Sequence, residues 1–309
     1  MPRRMKLIAG LLPVLVGAMA LSVACGGGTG SKDKTATAAA KGGAAPTAQA
    51  TKSADAIDIS GVAELQDGSL DIGSDIAYAP VEFLDEASNQ PAGLDIDIAN
   101  AMADALKVKA KFNNGTFDGL LPALDTKRYD VIMSAMTASD ERKKTVDFVE
   151  YFNAGSGIIV ANGNPKAIKS ADDLCGKTLA VQEGTVQVDF IVGAAGAPGG
   201  QNKKCTDAGK GEIKMLKFGT DPEAVQALVA GQADAEMADF PVAAYSAQQS
   251  NGRLEVVPNQ IEPAPYGIAV RKSSAPLRDA LQKAFDAIRK NGKYDEILKK
   301  WNLEAGKLS

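Results

Sequence analysis

Two stretches of this chain alternate short apolar runs with amphipathic ones in the same order, and that repetition restricts the fold more than any other feature. From Ser69 the first series reads as a strand near Leu70–Ile72, a helix over Ile96–Leu106, a strand near Val108–Phe112, a helix near Leu120–Leu124 and a strand at Val131. The second runs through Leu179–Val181, Ile213–Leu216, Val225–Val229 and Ala233–Met237. Such alternation predicts a parallel sheet flanked by helices. The series also match at a fixed offset: Ala123–Leu124, Asp130, Met133 and Ser134–Ala135 lie 104 residues before Ala227–Leu228, Asp234, Met237 and Ala238–Asp239. Helix-turn-strand units share this pattern by chance, so the echo is an expectation of two like lobes and not a proof. If it holds, Ser134, Thr137 and Arg142 face Asp239 across one cleft, because open α/β sheets bind ligands beyond the carboxyl ends of their strands.

The segment Tyr129–Arg142 carries the most chemistry. Val131, Ile132 and Met133 form a buried strand, Ser134 and Thr137 bring hydroxyls at its carboxyl end, and Ser139-Asp140-Glu141 reads as the cap and first turn of a helix. Arg142 then sits by free backbone N–H groups, where a planar guanidinium and a helix amino end together suit a carboxylate. A surface Arg on a first helical turn fits the same spacing.

The amino terminus combines Arg3, Arg4 and Lys6 with an apolar run from Leu7 to Ala24, broken by Pro13 and followed by Cys25. Residues 1–24 read as an export signal and not as a membrane span. Leu21-Ser-Val-Ala-Cys25 resembles a lipobox, which makes Cys25 the lipidated first residue of the mature protein. Its Leu lies four residues before the Cys, where three is usual, and Ser22-Val-Ala24 also suits ordinary signal peptidase. Residues 25–57 are rich in Gly, Ala, Thr, Ser and Lys and nearly free of large apolar side chains, so they read as a tether.

Composition excludes several classes. The net charge is −4 and the basic residues are dispersed without interleaved aromatics, which gives nucleic-acid binding no support. With no His in the chain, His-based catalysis and the commonest metal ligand are absent. No metal or cofactor is expected. Three Cys are an awkward number for an exported protein unless one is used otherwise. Assigning Cys25 to lipid leaves Cys175 and Cys205 for a structural disulfide.

Gly93-Leu-Asp-Ile-Asp-Ile98 with Met102, Ala103 and Leu106, Phe117-Asp-Gly-Leu-Leu-Pro-Ala-Leu124, Gly184-Thr185 and the Tyr129–Arg142 segment occur in an order that closely resembles the polar amino-acid-binding proteins of bacterial ABC importers. The resemblance covers roughly residues 66 to 305. It implies a two-lobed α/β fold of the periplasmic-binding-protein type II kind, with a first lobe over 66–158, a second over 159–265 and a return to the first over 266–309. The two strand crossings, near Gly157–Val160 and Pro263–Gly267, would form a hinge. It further implies that Arg142 holds a ligand carboxylate with help from Ser134, Ala135, Thr137 and Thr185, and that Asp239 accepts from the ammonium. Tyr78 and Phe117 would be aromatic covers. Asp75, and less surely Gln182 and Glu183, would read the ligand side chain. Asp95 and Asp97 belong to the family signature but suit a strand-to-helix junction better than a pocket.

The function implied is that of an extracytoplasmic, lipid-anchored subunit, monomeric and without catalysis, that captures a basic or amide amino acid and delivers it to a membrane permease. Two rivals use the same fold. One is a sensor subunit, and the other an enzyme of the cyclohexadienyl-dehydratase kind, for which Glu183 is the nearest candidate acid.

Overall fold

The computed structural model describes residues 56–194 and 199–308. The expected signal, Cys25 and the tether up to residue 55 lie outside the described residues. The first lobe opens with β1 (Ser69–Ser74), a small sheet of β2 (Ala77–Tyr78), β3 (Glu82–Leu84) and β4 (Pro91–Ala92), and α1 (Leu94–Leu106). It continues through β5 (Lys109–Asn114), α2 (Phe117–Asp125), β6 (Val131–Ile132) and α3 (Asp140–Lys143). A long strand, β7 (Val146–Ala161), enters the second lobe of β8 (Thr178–Gln182), α4 (Val186–Val192), α5 (Gln201–Asp207), β9 (Lys214–Phe218), α6 (Asp221–Val229), β10 (Ala235–Asp239), α7 (Phe240–Gln249) and β11 (Leu254–Val256). A second long strand, β12 (Ile261–Arg271), returns to the first lobe and is followed by α8 (Ala275–Lys290) and α9 (Lys293–Trp301).

One sheet runs β5-β1-β6-β12-β7-β10-β8-β9, with β11 on the far half of β7. Within each lobe the three alternating strands are parallel, as the sequence pattern requires. The two long strands differ from that expectation. They run antiparallel to each other and to β6 and β10, because one carries the chain out and the other brings it back. β7 pairs with β12 from Val146 to Ser156, and from Ser156 to Ile159 its other edge pairs with β10. Beyond Ser156 its partner besides β10 is β11, at Ile159–Ala161. On β12 the register slips between Ile261 and Ala264, at the start of the strand.

The lobes have separate cores. In the first, Leu94, Ile98, Met102 and Leu106 form one stripe of α1 against Leu277, Leu281, Phe285 and Ile288 of α8, all nearly free of solvent. Each such side chain contributes about 1.5–3 kcal/mol relative to exposure. Helix α1 can begin at Leu94 because Gly93 lies at φ 129°, and a Cβ there would fall 2.1 Å from the Val81 carbonyl oxygen. Ile57 and Ile59 pack against the same core. In the second lobe, Ile158, Val160, Leu179 and Met237 pack with Cys205. Cys175 and Cys205 are bridged, with Cα atoms 5.4 Å apart. By chain entropy a loop of this size stabilises by roughly 3 kcal/mol.

Candidate functional site

The carboxyl ends of β1, β6, β8 and β10 converge where the lobes meet, and the residues just beyond them line a small cavity of about 10 Å³. From the first lobe come Asp75, Tyr78, Glu82, Phe117, Ala135, Thr137 and Arg142. The second lobe supplies Gln182, Thr185, Val186, Gln187 and Asp239.

Arg142 is held as the sequence pattern suggests, although its helix is only one turn long. Ser139 caps that turn and its Oγ accepts from the Arg142 N–H (3.3 Å), so this amide is spent on the cap. The guanidinium is 9% exposed, donates to the carbonyls of Thr137 (2.9 Å) and Gly184 (3.1 Å), and lies 5.3 Å from the centre of the Phe117 ring. Among the described residues no carboxylate forms an ion pair with it. Burial lowers its pKa from the ordinary value, and Asp189 and Asp239 partly offset this.

Asp239 ends β10 opposite. Its carboxylate accepts from Gln187 Nε2 (2.8 Å) and the Tyr266 hydroxyl (2.8 Å), and its backbone N–H donates to the Tyr78 hydroxyl (2.8 Å). Burial pushes this carboxyl up to about 6 despite those bonds. Asp75 accepts from Gln182 Nε2 across the cleft and is likewise raised by burial to about 6, with nearby Asp118 adding to the rise. Tyr78 to Asp239, Gln182 to Asp75 and Arg142 to Gly184 all join one lobe to the other. Thr185 lines the cavity, and its hydroxyl donates to the Gln182 carbonyl (2.8 Å).

Several expected roles change. Ser134 is fully buried and absent from the cavity lining; its hydroxyl donates to Glu82 Oε1 (2.9 Å) and accepts from the Asp75 N–H (2.9 Å). It positions two carboxyl-bearing residues instead of offering a donor to a ligand. Ala135 adopts φ 44°, and its N–H donates to Asp95 Oδ2 (2.9 Å), so that amide is also committed. Asp95 lies in the first turn of α1 and outside the cavity lining, as expected; it is fully buried, also accepts from Tyr151 (2.7 Å), and is raised by burial to about 7. Asp97 joins α1 to α9, accepting from Lys300 Nζ (2.6 Å) and Trp301 Nε1 (2.8 Å). Glu183 is exposed and does not line the cavity.

Glu82, Val186 and Gln187 are lining residues that sequence reasoning missed. Glu82 left a faint signal, a lone carboxylate between Val81 and Phe83 in an apolar strand. It is 1% exposed, its Oε2 has no partner among the described residues, and burial beside Asp95 raises its pKa well above the usual carboxyl range.

Comparison with known proteins agrees with this geometry. Residues 70–304 match the family model of bacterial extracellular solute-binding proteins, family 3. The chain is 35% identical over 248 residues to an L-arginine-binding protein of Pseudomonas aeruginosa, covering 74% of this chain and 86% of the relative. It is 32% identical to the arginine-binding protein ArgT of Corynebacterium glutamicum, covering 79% and 77% of the two chains. Among solved structures, an ancestral arginine-binding protein bound to arginine superposes with a TM-score of 0.67 at 39% identity, over 76% of this chain and 98% of that one. The match spans both lobes and the return to the first, and the chain belongs to the bacterial extracellular solute-binding proteins of family 3.

Proposed function

We propose that this protein captures a basic L-amino acid, arginine foremost, by closing its two lobes, and delivers it to an ABC-type permease. The observation that carries the reading is the charge of the cavity: Asp75, Glu82 and Asp239 face it with Arg142 as its only cationic lining residue. Arg142 would take the ligand carboxylate in a two-point grip, Asp239 the ammonium, and Asp75 with Glu82 the cationic end of the side chain. An amide side chain meets the same carboxylates with hydrogen bonds but no charge, so it ranks below a cation. Asp or Glu as ligand would add a negative charge beside two carboxylates.

Contacts from both lobes make the closed state the better binder, which is the condition for ligand-driven closure. The end of β12 pairing on β7 after Ser156 and the register slip on β12 between Ile261 and Ala264 support a hinge at these two crossings. The names of the arginine-binding relatives support the ligand class. The sequence before residue 56 supports attachment to the outer face of the membrane through Cys25; mass spectrometry of protein from its native host tests this, and an unmodified Cys25 removes the anchor.

Arg142→Ala is expected to weaken arginine binding by roughly 2–5 kcal/mol, the range for truncating one partner of a buried charge pair. Calorimetry on a variant with an unchanged circular dichroism spectrum reads this directly. Near-wild-type affinity in that variant would refute the assignment.

The pH dependence has a defined sign. Asp75 and Asp239 are raised to about 6 and Asp95 to about 7, so ionising them costs the fold stability. That stability is full below the unfolded value of roughly 4 and is lost as pH rises through 6–7. A cationic ligand reverses the balance because it favours the ionised carboxylates. Arginine affinity is therefore expected to fall as pH drops from about 8 to 5, and more steeply than glutamine affinity. Parallel titrations of the two ligands check this, and equal slopes would contradict the role given to Asp75.

A further inference from the structure

A second concavity of about 410 Å³ lies beside the cleft and is also built from both lobes. Ile76 and Phe83 of the first lobe face Val225 and Val229 of α6 and Tyr245 of α7, which gives it apolar walls. Asp221, the first residue of α6, lines it while being only 4% exposed. The helix start does not need this carboxylate, because Thr220 and Glu223 already form a reciprocal cap.

Asp221 meets Glu236, which sits on β10 between Ile159 and Ala180 and is fully buried. Among the described residues no donor reaches Asp221 Oδ1 or either Glu236 oxygen, and no cationic side chain pairs with either group. The contact between them is a hydrogen bond only when one carboxyl keeps its proton. Burial pushes Asp221 up to about 7. Buried polar groups without partners are costly, and two carboxyls sharing one proton leave a negative charge at the edge of an apolar groove. From Asp221 the groove follows α6 for roughly 12 Å, at 1.5 Å per residue, to Val229. Val229 packs in one cluster with Leu254. Arg253, next to Leu254, lines the groove too; its Nε–H donates to the Ser250 carbonyl (3.0 Å), and no acidic side chain pairs with it among the described residues. A ligand with a positive charge at each end is thus disfavoured.

We propose that this groove is a second binding site, which takes an organic monocation, an alkylammonium or alkylguanidinium with an apolar body, with its charged end on Asp221. The occupant differs from the cleft ligand in needing no carboxylate.

The test is calorimetric titration of n-butylguanidinium into the protein with and without saturating L-arginine. Lacking a carboxylate, this probe cannot use the Arg142 grip. One equivalent is expected to bind in both conditions. Asp221→Asn should weaken it at least tenfold while the new amide donates to Glu236 and preserves the pair. Leu84→Lys, on the 44% exposed rim, should weaken it at least threefold by repulsion without touching the core. Absence of binding to arginine-saturated protein, or unchanged affinity in either variant, overturns the proposal. A failure of arginine itself to bind bears on the cleft alone and leaves the probe titration interpretable.

Discussion

Arg142 lies buried without an anionic partner among the described residues while Asp75, Glu82 and Asp239 face the same cavity, and holding such charges away from water costs several kcal/mol per ion unless other groups compensate. Much of the surrounding structure supplies that compensation. Two backbone carbonyls hold the guanidinium, Tyr266 and Gln187 hold Asp239, Ser134 holds Glu82, and Gln182 holds Asp75. The bonds lower the cost without cancelling it, as the raised pKa values of Asp75 and Asp239 record. A site of this kind is stabilised by the ligand whose charges complete it, and stability given up at the site becomes affinity for that ligand.

The same groups tie chemistry to movement. Asp95 on α1 accepts from the Ala135 N–H and from Tyr151 on β7, so the strained turn that follows β6 is fixed both to a helix of the first lobe and to a strand that crosses between lobes. Tyr266 of β12, the other crossing strand, donates to Asp239 of the second lobe. Two extended strands can bend with little loss of pairing, whereas the packed cores on either side resist deformation. A change at the cleft is therefore expected to be expressed as rotation about these strands.

The sequence made the lobes legible because helix and strand periods differ: α1, β1, β5 and β8 lie within one or two residues of their expected positions, and α2 starts three residues earlier than expected. Local chemistry also showed through at Ser139, which caps the turn that carries Arg142. The antiparallel long strands were less legible, since an apolar run does not reveal the direction of its neighbours. Roles that depend on what faces a side chain were harder still. Ser134 has the right residue type at the right strand end but faces Glu82, and Asp95 sits at a helix start, where carboxylates commonly meet solvent, yet it is buried by Tyr151 and Ala135. Glu82 reaches the cavity from the small sheet beside Tyr78, a pairing between short strands that leaves almost no periodic trace.

The central claim, that an excess of buried carboxyls over one guanidinium selects a cationic amino acid, is tested most directly by the melting temperature of the folded domain at pH 8 with each L-amino acid in turn. At a fixed concentration, a ligand bound only to the native state raises that temperature more the tighter it binds, with the logarithm of its affinity. The account predicts the largest rise for arginine, a smaller one for glutamine and none for glutamate. A largest rise with glutamate or aspartate, or no rise with any amino acid, would contradict it.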